Sequence, residues 1–157
     1  MKPEFSIRSL GCARSLVDSE DMVNQLQKVG FQIVPEGTTE SILVLNTCSF
    51  IQAAIDETEE NIRELSEQKQ NGQLKHVVVA GCYPSRFKKP DLKEKFPHVD
   101  LWLTTYEEHT LQAKLAELVF QKRFQPDETV KPVRLTPDHY AYLKISEGCN
   151  NWCSFCT

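Results

Sequence analysis

No stretch of 18 or more consecutive apolar residues occurs in this 157-residue sequence, and residues 1–7 contain no long apolar segment. The chain is therefore expected neither to span a membrane nor to carry an export signal, and a cytoplasmic location follows. An excess of positive charge is also lacking, since 18 Lys and Arg residues stand against 22 Asp and Glu residues, a net charge of -4. A broad basic surface for DNA or other nucleic acid is not expected.

The cysteine content is the unusual part of an otherwise ordinary soluble composition. A length of 157 residues suffices for one domain of common size and little more. Six cysteines could form three disulfides in a secreted chain. This chain is larger than the usual disulfide-stapled domain, and its cysteines are not scattered through loops. Reduced thiolates that bind metal fit the pattern better.

Three of the cysteines lie on one short C-terminal loop, in a C-x3-C-x2-C spacing formed by Cys149, Cys153 and Cys156. Zinc prefers four N or S ligands in a closed site, and an iron-sulfur cube is also held by thiolates. The nearest further candidate ligand is His139. Three protein ligands would leave one metal position open for an exogenous ligand. The alternative, a redox pair formed by Cys153 and Cys156, leaves Cys149 unexplained.

Apolar runs alternate with helical patterns along the rest of the chain, which predicts an α/β fold with a mainly parallel sheet flanked by helices. Residues 41–46 form a continuous apolar run, typical of a strand buried on both faces. The first helix is predicted to begin with a capping box from Ser15 to Asp18, and the last helix to turn Leu118 inward. The connection 34–41 is short for a parallel crossover, so the direction of the second strand stays open. Predicted strands cover 5–10, 31–34, 41–46, 76–80 and 99–103, and predicted helices cover 15–29, 51–65 and 107–122, with an irregular or short helical connection over 84–96.

The other three cysteines each follow a predicted strand: Cys12, Cys48 and Cys82 lie 36 and 34 residues apart. In a parallel sheet all carboxyl ends share one edge, where ligands bind in open α/β folds. Gly11 and Gly81 are interpreted as letting the backbone approach a bulky cluster. A single free cysteine is commonly just a small buried side chain, but three at equivalent strand ends indicate a second metal site. The missing fourth ligand again favours iron-sulfur over zinc.

Four stretches of sequence resemble the radical S-adenosylmethionine (SAM) methylthiotransferase family, and within it the RimO type. They are residues 9–20 (SLGCARSLVDSE), 46–51 (NTCSFI), 81–82 (GC) and 135–149 (LTPDHYAYLKISEGC). The tRNA-modifying MiaB type diverges from this pattern in the first and last stretches. The loop with Phe155 just before its last cysteine also resembles the radical SAM cluster loop. The resemblance extends over the whole chain.

The resemblance implies a domain organisation. Residues 1–124 would form the N-terminal methylthiotransferase α/β domain, residues 125–138 a linker, and residues 139–157 the truncated start of a radical SAM TIM-like barrel. A complete barrel of this kind needs roughly 200 to 250 residues. The 157-residue chain by itself is therefore expected to be inactive.

The resemblance also implies cofactors and partners. Cys149, Cys153 and Cys156 would hold the 4Fe-4S cluster that reductively cleaves SAM, with Phe155 near the adenine. An auxiliary 4Fe-4S cluster carrying the donated sulfur would be held by Cys12, Cys48 and Cys82. The substrate would be the β-carbon of an aspartate in small-subunit ribosomal protein number twelve, and a reductant protein would supply electrons. Catalytic residues are not assigned, because radical chemistry belongs to the cofactors.

The sequence departs from the family pattern at Ser15, Ser49 and Asp138, where asparagine, glycine and a basic residue are usual. None of these changes removes a ligand. Two further functions stay open: a tRNA adenosine methylthiotransferase of the MiaB type, and a non-enzymatic iron-sulfur module for sulfur storage or electron transfer.

Overall fold

The structure, a computed structural model, describes residues 2–121, 125–146, 151 and 153–154. Within these ranges the chain alternates strands with helices, as the sequence predicts. The strands are β1 (Glu4–Ser9), β2 (Gln32–Ile33), β3 (Ile42–Thr47), β4 (His76–Gly81) and β5 (Leu101–Thr104). The helices are α1 (Ala13–Lys28), α2 (Gln52–Gln70), α3 (Cys82–Arg86), α4 (Lys89–Lys95), a 3-10 turn (Glu108–Thr110) and α5 (Leu111–Phe120).

The five strands form one sheet in the order β2-β1-β3-β4-β5, and every neighbouring pair is parallel. This confirms the α/β prediction. The central strand β3 is buried over all six of its residues, as the continuous apolar run indicates. Its register places Val44 opposite Ile7 on one side and Val78 on the other.

Alternate residues of the strands enter two separate cores, so the sheet is the middle layer of three. Ile42 and Val44 face the helices α1 and α5, whereas Leu43 and Leu45 face α2 and α4. None of the helices in the described ranges is both long and apolar enough to cross a membrane. The first core includes Phe5, Met22, Leu26, Val78, Leu103, Leu111 and Leu115, and the second includes Ile62, Leu65, Val77, Val79, Leu92 and Trp102.

The direction left open for the second strand is parallel, and the short connection has a simple reason. β2 pairs only with Glu4 and Phe5 at the start of β1. Ile33 in β2 and Ile42 at the start of β3 both lie level with Phe5, on opposite sides of β1. β2 therefore ends at the level of β1 where β3 begins. The connection crosses from one side of β1 to the other without running back along a full strand length, so it can be shorter than a usual parallel crossover.

The predicted capping box at Ser15 is wrong. α1 begins at Ala13 with Cys12 at its N-cap, and Ser15 lies buried inside the first turn. Gly11, with a φ of 110°, turns the chain from β1 into the helix three residues earlier than the pattern suggests. The buried amide of Asn46 then donates to the Ser15 carbonyl over 2.8 Å and to the Ser19 hydroxyl over 3.0 Å.

The last predicted helix is shorter, and its inward face differs. α5 ends at Phe120, because Gln121 adopts a left-handed conformation with a φ of 54°. Leu118 was predicted to point inward but is exposed, while Leu115 and Ala116 are buried. Lys122 lies outside the described residues.

Candidate functional site

The first three cysteines lie at the carboxyl ends of three neighbouring strands. Cys48 directly follows β3, Cys82 directly follows β4, and Cys12 follows β1 after a two-residue turn. β3 is the middle member of the three, with β1 and β4 on either side. Parallel pairing thus brings residues that are distant in sequence to the same edge of the sheet. All three thiols are free; Cys12 and Cys82 are exposed, and Cys48 is half-buried.

Cys12 is the thiol best prepared to carry negative charge. It occupies the N-cap of α1, where the first backbone N–H groups of the helix have no partner within the helix. The backbone N–H groups at the start of α1, that of Ser15 first and that of Arg14 second, lower the pKa of Cys12 below its usual range. A thiolate is the form of cysteine that binds metal, so this position favours a ligand.

Cys82 shows that the three thiols are close enough to interact electrostatically. Cys82 is exposed as a residue but its thiol is partly desolvated, which is the largest influence raising the pKa of Cys82; the negative charges of Cys48 and Cys12 raise it further. The positive charge of Arg14 works in the opposite direction. Three thiolates at this edge would therefore repel one another, and a bound cation or metal cluster would relieve that repulsion.

The spacing of the donors argues against one zinc ion. Among the residues that the structure describes, no three His, Cys, Asp or Glu side chains converge closely enough to share a single metal ion. Structural zinc needs four ligands around one centre. An iron-sulfur cube spreads its thiolates over separate irons, so its ligands stand farther apart. Whether the three-cysteine edge holds a cluster stays a prediction.

The structure shows why glycine is needed at the two positions beside the cysteines, for a reason that the sequence does not indicate. A Cβ on Gly81 would lie 2.5 Å from Asn46 Oδ1 and 2.7 Å from the Thr47 carbonyl oxygen. A Cβ on Gly11 would lie 2.9 Å from the Cβ of Cys48. That space is filled by Asn46, Thr47 and Cys48, so the glycines allow the strand ends to pack together. Whether they also let the backbone approach a cluster stays a prediction.

Polar side chains beneath the cysteines fix the turns that carry them. The Thr47 hydroxyl donates to the Ala80 carbonyl over 2.6 Å and accepts from the Tyr83 backbone N–H over 3.2 Å. The Thr58 hydroxyl donates to the Cys48 carbonyl over 2.9 Å. The Arg86 guanidinium donates to the Ser49 carbonyl. The sequence analysis does not predict these contacts. The polar residues at the end of the otherwise apolar strand β3 could have indicated them.

Charged residues from distant parts of the chain gather beside the cysteine edge. Glu108 is partly buried, and its Oε1 has no hydrogen-bond partner among the described residues. Burial first, and then the charge of Asp18, raises the pKa of Glu108 to about 7, against the attraction of Lys144 and Arg14. The pattern that predicts a helix over 107–122 does not indicate a partly buried carboxyl group at Glu108.

Glu108 should make the stability of the chain depend on pH. Its pKa rises from 4.5 to about 7 on folding, so the folded state binds more protons between these values and stability is lost as the pH rises through them. The loss is complete about one pH unit above 7. We expect Glu108→Gln to stabilise the chain at pH 8 by about 1 to 2 kcal/mol, a figure reduced for solvent screening, and to have little effect at pH 4. Guanidinium unfolding of the reduced, metal-free chain at several pH values measures this.

The neighbouring Glu107 is the matched control. Hydrogen bonding from Lys89 is the main cause that lowers the pKa of Glu107 to about 2. The ionised Glu107 carboxylate contributes to folding stability above pH 4.5, and this contribution is lost as the pH falls toward 2. Glu107→Gln should therefore destabilise the chain at pH 8. If Glu108→Gln left the pH profile of stability unchanged between 4 and 8, the buried carboxyl would not be the cause of that profile.

The C-terminal loop falls mostly outside the described residues. Cys149, Cys156 and Phe155 lie outside them, and of this loop's predicted ligands only Cys153 is described, as an exposed free thiol. The structure therefore brings together Cys12, Cys48 and Cys82 and leaves the second predicted set as a prediction.

Comparison with known proteins gives a family match and a set of relatives. The protein family described as "Uncharacterized protein family UPF0004" matches residues 4–104. A "Ribosomal protein uS12 methylthiotransferase RimO" from Geobacter sulfurreducens is 34% identical, over 99% of this chain and 36% of the relative. Proteins of the same description from Dictyoglomus thermophilum and Bdellovibrio bacteriovorus are 36% and 40% identical, each over 94% of this chain and over 35% and 34% of the relative. The chain thus spans about a third of the length of the curated relatives it matches.

Proposed function

The chain belongs to the UPF0004 family, whose match covers residues 4–104, and we propose that it acts as the N-terminal part of a ribosomal protein methylthiotransferase of the RimO type. The observation that carries the proposal is the meeting of Cys12, Cys48 and Cys82 at one sheet edge. All three lie inside the region that matches the family. The relatives named for methylthio transfer to uS12 support the reaction and the substrate.

In this proposal Cys12, Cys48 and Cys82 hold a 4Fe-4S cluster. When bound, that cluster supplies the sulfur for transfer. The protein's contribution is to hold the thiolates in place: the N-terminus of α1 stabilises the Cys12 thiolate, and Thr58 fixes the carbonyl of Cys48. The exposure of Cys12 and Cys82 leaves the site open at the sheet edge, where a substrate can approach.

The second part of the proposal concerns the C-terminal cysteines. Cys149, Cys153 and Cys156 would hold a second 4Fe-4S cluster, which would supply the electron for SAM cleavage, and Phe155 would lie near the adenine. Residues 1–124 then form the cluster-bearing α/β domain, 125–138 the connection, and 139–157 the start of the SAM-binding domain. A reductant protein supplies electrons, and the enzyme works in the cytoplasm, where uS12 is made and assembled into ribosomes.

Mass spectrometry of a strain lacking the corresponding gene tests the function. We expect the methylthio group to be absent from the aspartate of uS12, to return on complementation with the full-length native gene, and to stay absent with a gene encoding Cys48→Ala. Methylthio-modified tRNA from the same cells should be unchanged. Loss of the tRNA modification with the uS12 modification retained would assign the MiaB-type reaction instead. If neither modification changed, the protein would be an iron-sulfur module without this transferase activity.

A further inference from the structure

The segment 127–144, which has no helix or strand, is laid along α1 by an ordered series of contacts; we name it the docked segment. It begins at the C-terminal end of the helix. The backbone N–H of Asp127 donates to the Lys28 carbonyl over 2.8 Å. The Lys28 ammonium contacts the Glu128 carboxylate over 2.5 Å. The side chain of Glu128 is largely exposed, so this ion pair contributes little to stability.

The middle of the docked segment is bound through its backbone by two side chains of α1. Asn24 pairs with both polar groups of Val133: its Oδ1 accepts from the backbone N–H over 2.6 Å, and its Nδ2 donates to the carbonyl over 3.4 Å. Glu20 Oε1 accepts from the backbone N–H groups of Leu135 and Thr136 over 2.8 and 3.2 Å. Hydrogen bonds to a charged acceptor are stronger than neutral ones.

Apolar packing accompanies these hydrogen bonds. The side chains of Val133 and Leu135 pack against the core between the sheet and α1, and Thr136 is buried. Removing one partner of a partly buried hydrogen bond costs the desolvation of the other. The middle of the docked segment is therefore bound as a part of the fold, and not as a loose surface ion pair.

The contacts follow the helix in reverse order to the chain. Glu20, Asn24 and Lys28 are spaced by four residues, so they form one stripe on α1. As the docked segment proceeds from 127 to 144, its partners proceed from Lys28 to Asp18, whose carboxylate binds Lys144 over 2.5 Å. The segment thus runs antiparallel to α1, and Lys144 reaches Asp18 in the second turn of the helix.

A cleft of about 220 Å³ marks the place where the docked segment arrives. It lies between Ala13, Arg14 and Val17 of α1 and the residues 142–146. Ala13 follows Cys12 in the chain, and Ser146, which lines the cleft, precedes Cys149 by three residues. Three residues of fully extended chain span at most about 11 Å.

We propose that Glu20 and Asn24 are positioning residues that hold the docked segment on α1 and thereby set the start of the second cysteine loop beside the first cysteine set. The position of Ser146 relative to Cys12 is then fixed by backbone hydrogen bonds to one helix. The assignment of the cysteines to clusters rests on the proposed function, but the position of Ser146 relative to Cys12 does not.

Distance measurement between spin labels tests the proposal. One label is placed on Cys12 and one on Ser146→Cys, in a metal-free chain whose other five cysteines are serine. We expect a narrow distance distribution in this background and a clearly broader one after Glu20→Ala with Asn24→Ala. Hydrogen exchange of the Leu135 and Thr136 amides should speed up at least about tenfold in the same variant, with the β3 amides unchanged.

Asp21→Ala with Gln25→Ala is the matched control, since this carboxylate and amide are also spaced by four residues on α1 but bind each other at the surface over 2.6 Å. It should keep the distribution narrow. Lys144→Ala, which leaves α1 and its core unaltered, is the second variant and should broaden the distribution less. Equal widths in all chains, whether narrow or broad, would overturn the proposal.

Iron content separates this proposal from the proposed function. In the chain with native cysteines, Glu20→Ala with Asn24→Ala should bind as much iron after anaerobic reconstitution as the unaltered chain, because no ligand is removed. If the unaltered chain binds no iron, the proposed clusters are contradicted. The label distances then still test whether the segment is held on α1. An equal iron content with unchanged label distances contradicts the docking alone.

Discussion

Alanine in place of Cys48 is expected to lower the iron bound after anaerobic reconstitution from about eight to about four atoms per chain, with sulfide falling in parallel. Cys48 is the central member of the first cysteine set, since it follows the strand between those that lead to Cys12 and Cys82. A cube left with two protein ligands should not survive removal of excess iron. Iron and sulfide assays on the gel-filtered chain, together with its optical spectrum, measure the change.

The second set provides the comparison for this result. Cys153→Ala should remove the other four irons, and Cys48→Ala combined with Cys153→Ala should leave almost none. Ser85→Ala, close to the same edge but without a thiol, should keep about eight. Tight binding of zinc in place of iron would contradict the cluster interpretation, as would a Cys48→Ala chain that retains its full iron and sulfide.

The sequence could predict the sheet because its central strands are buried on both faces. The predicted strands 41–46 and 76–80 read as buried on both faces, and the structure buries all of β3 and, apart from His76, all of β4. β2 could not be oriented in this way. Two residues carry no periodicity, and their direction is decided by pairing with Glu4 and Phe5, a contact between segments that no local pattern reports.

The cysteine edge could be predicted for a similar reason, because the end of a strand is visible in sequence and parallel strands share an edge. The start of α1 could not, since the Ser15 pattern is that of a cap while the turn is decided by the positive φ of Gly11. Glu108 and Lys144 come near the edge through interactions with Asp18, which precedes them by 90 and 126 residues in the chain.

The docked segment shows another limit of sequence patterns. Pro126, Pro132 and Pro137 interrupt periodicity, and their spacing is typical of a linker. In the structure, side chains of α1 accept hydrogen bonds from backbone N–H groups of this stretch. Every residue except proline has such a group. Because the segment is bound through its backbone, its own side chains do not reveal the contact. Only the acceptors on α1, Glu20 and Asn24, could indicate it in the sequence. Such residues are common on helix surfaces, so they do not stand out.

Gly81→Ala is expected to destabilise the chain by roughly 3 to 5 kcal/mol, by adding backbone strain to overpacking. Gly81 has a φ of 99° and a ψ of -148°, a region that residues with a Cβ rarely adopt. The new Cβ would also lie 2.7 and 2.9 Å from the carbonyl oxygen and nitrogen of Thr47, which belong to the central strand and cannot rotate away. Guanidinium unfolding of the reduced, metal-free chain measures the loss.

Gly30→Ala separates the two causes of this loss. Gly30 has a similar φ of 96°, but among the described residues, its two chain neighbours aside, no atom lies within 4 Å of the position its Cβ would take. The substitution therefore adds strain without a clash. We expect it to cost roughly 1 to 2 kcal/mol. Equal losses for Gly30→Ala and Gly81→Ala would show that β3 moves aside at no cost. A larger loss for Gly81→Ala means that the strand ends bearing Cys48 and Cys82 are held rigidly against each other before any metal binds, the condition for a preorganised site.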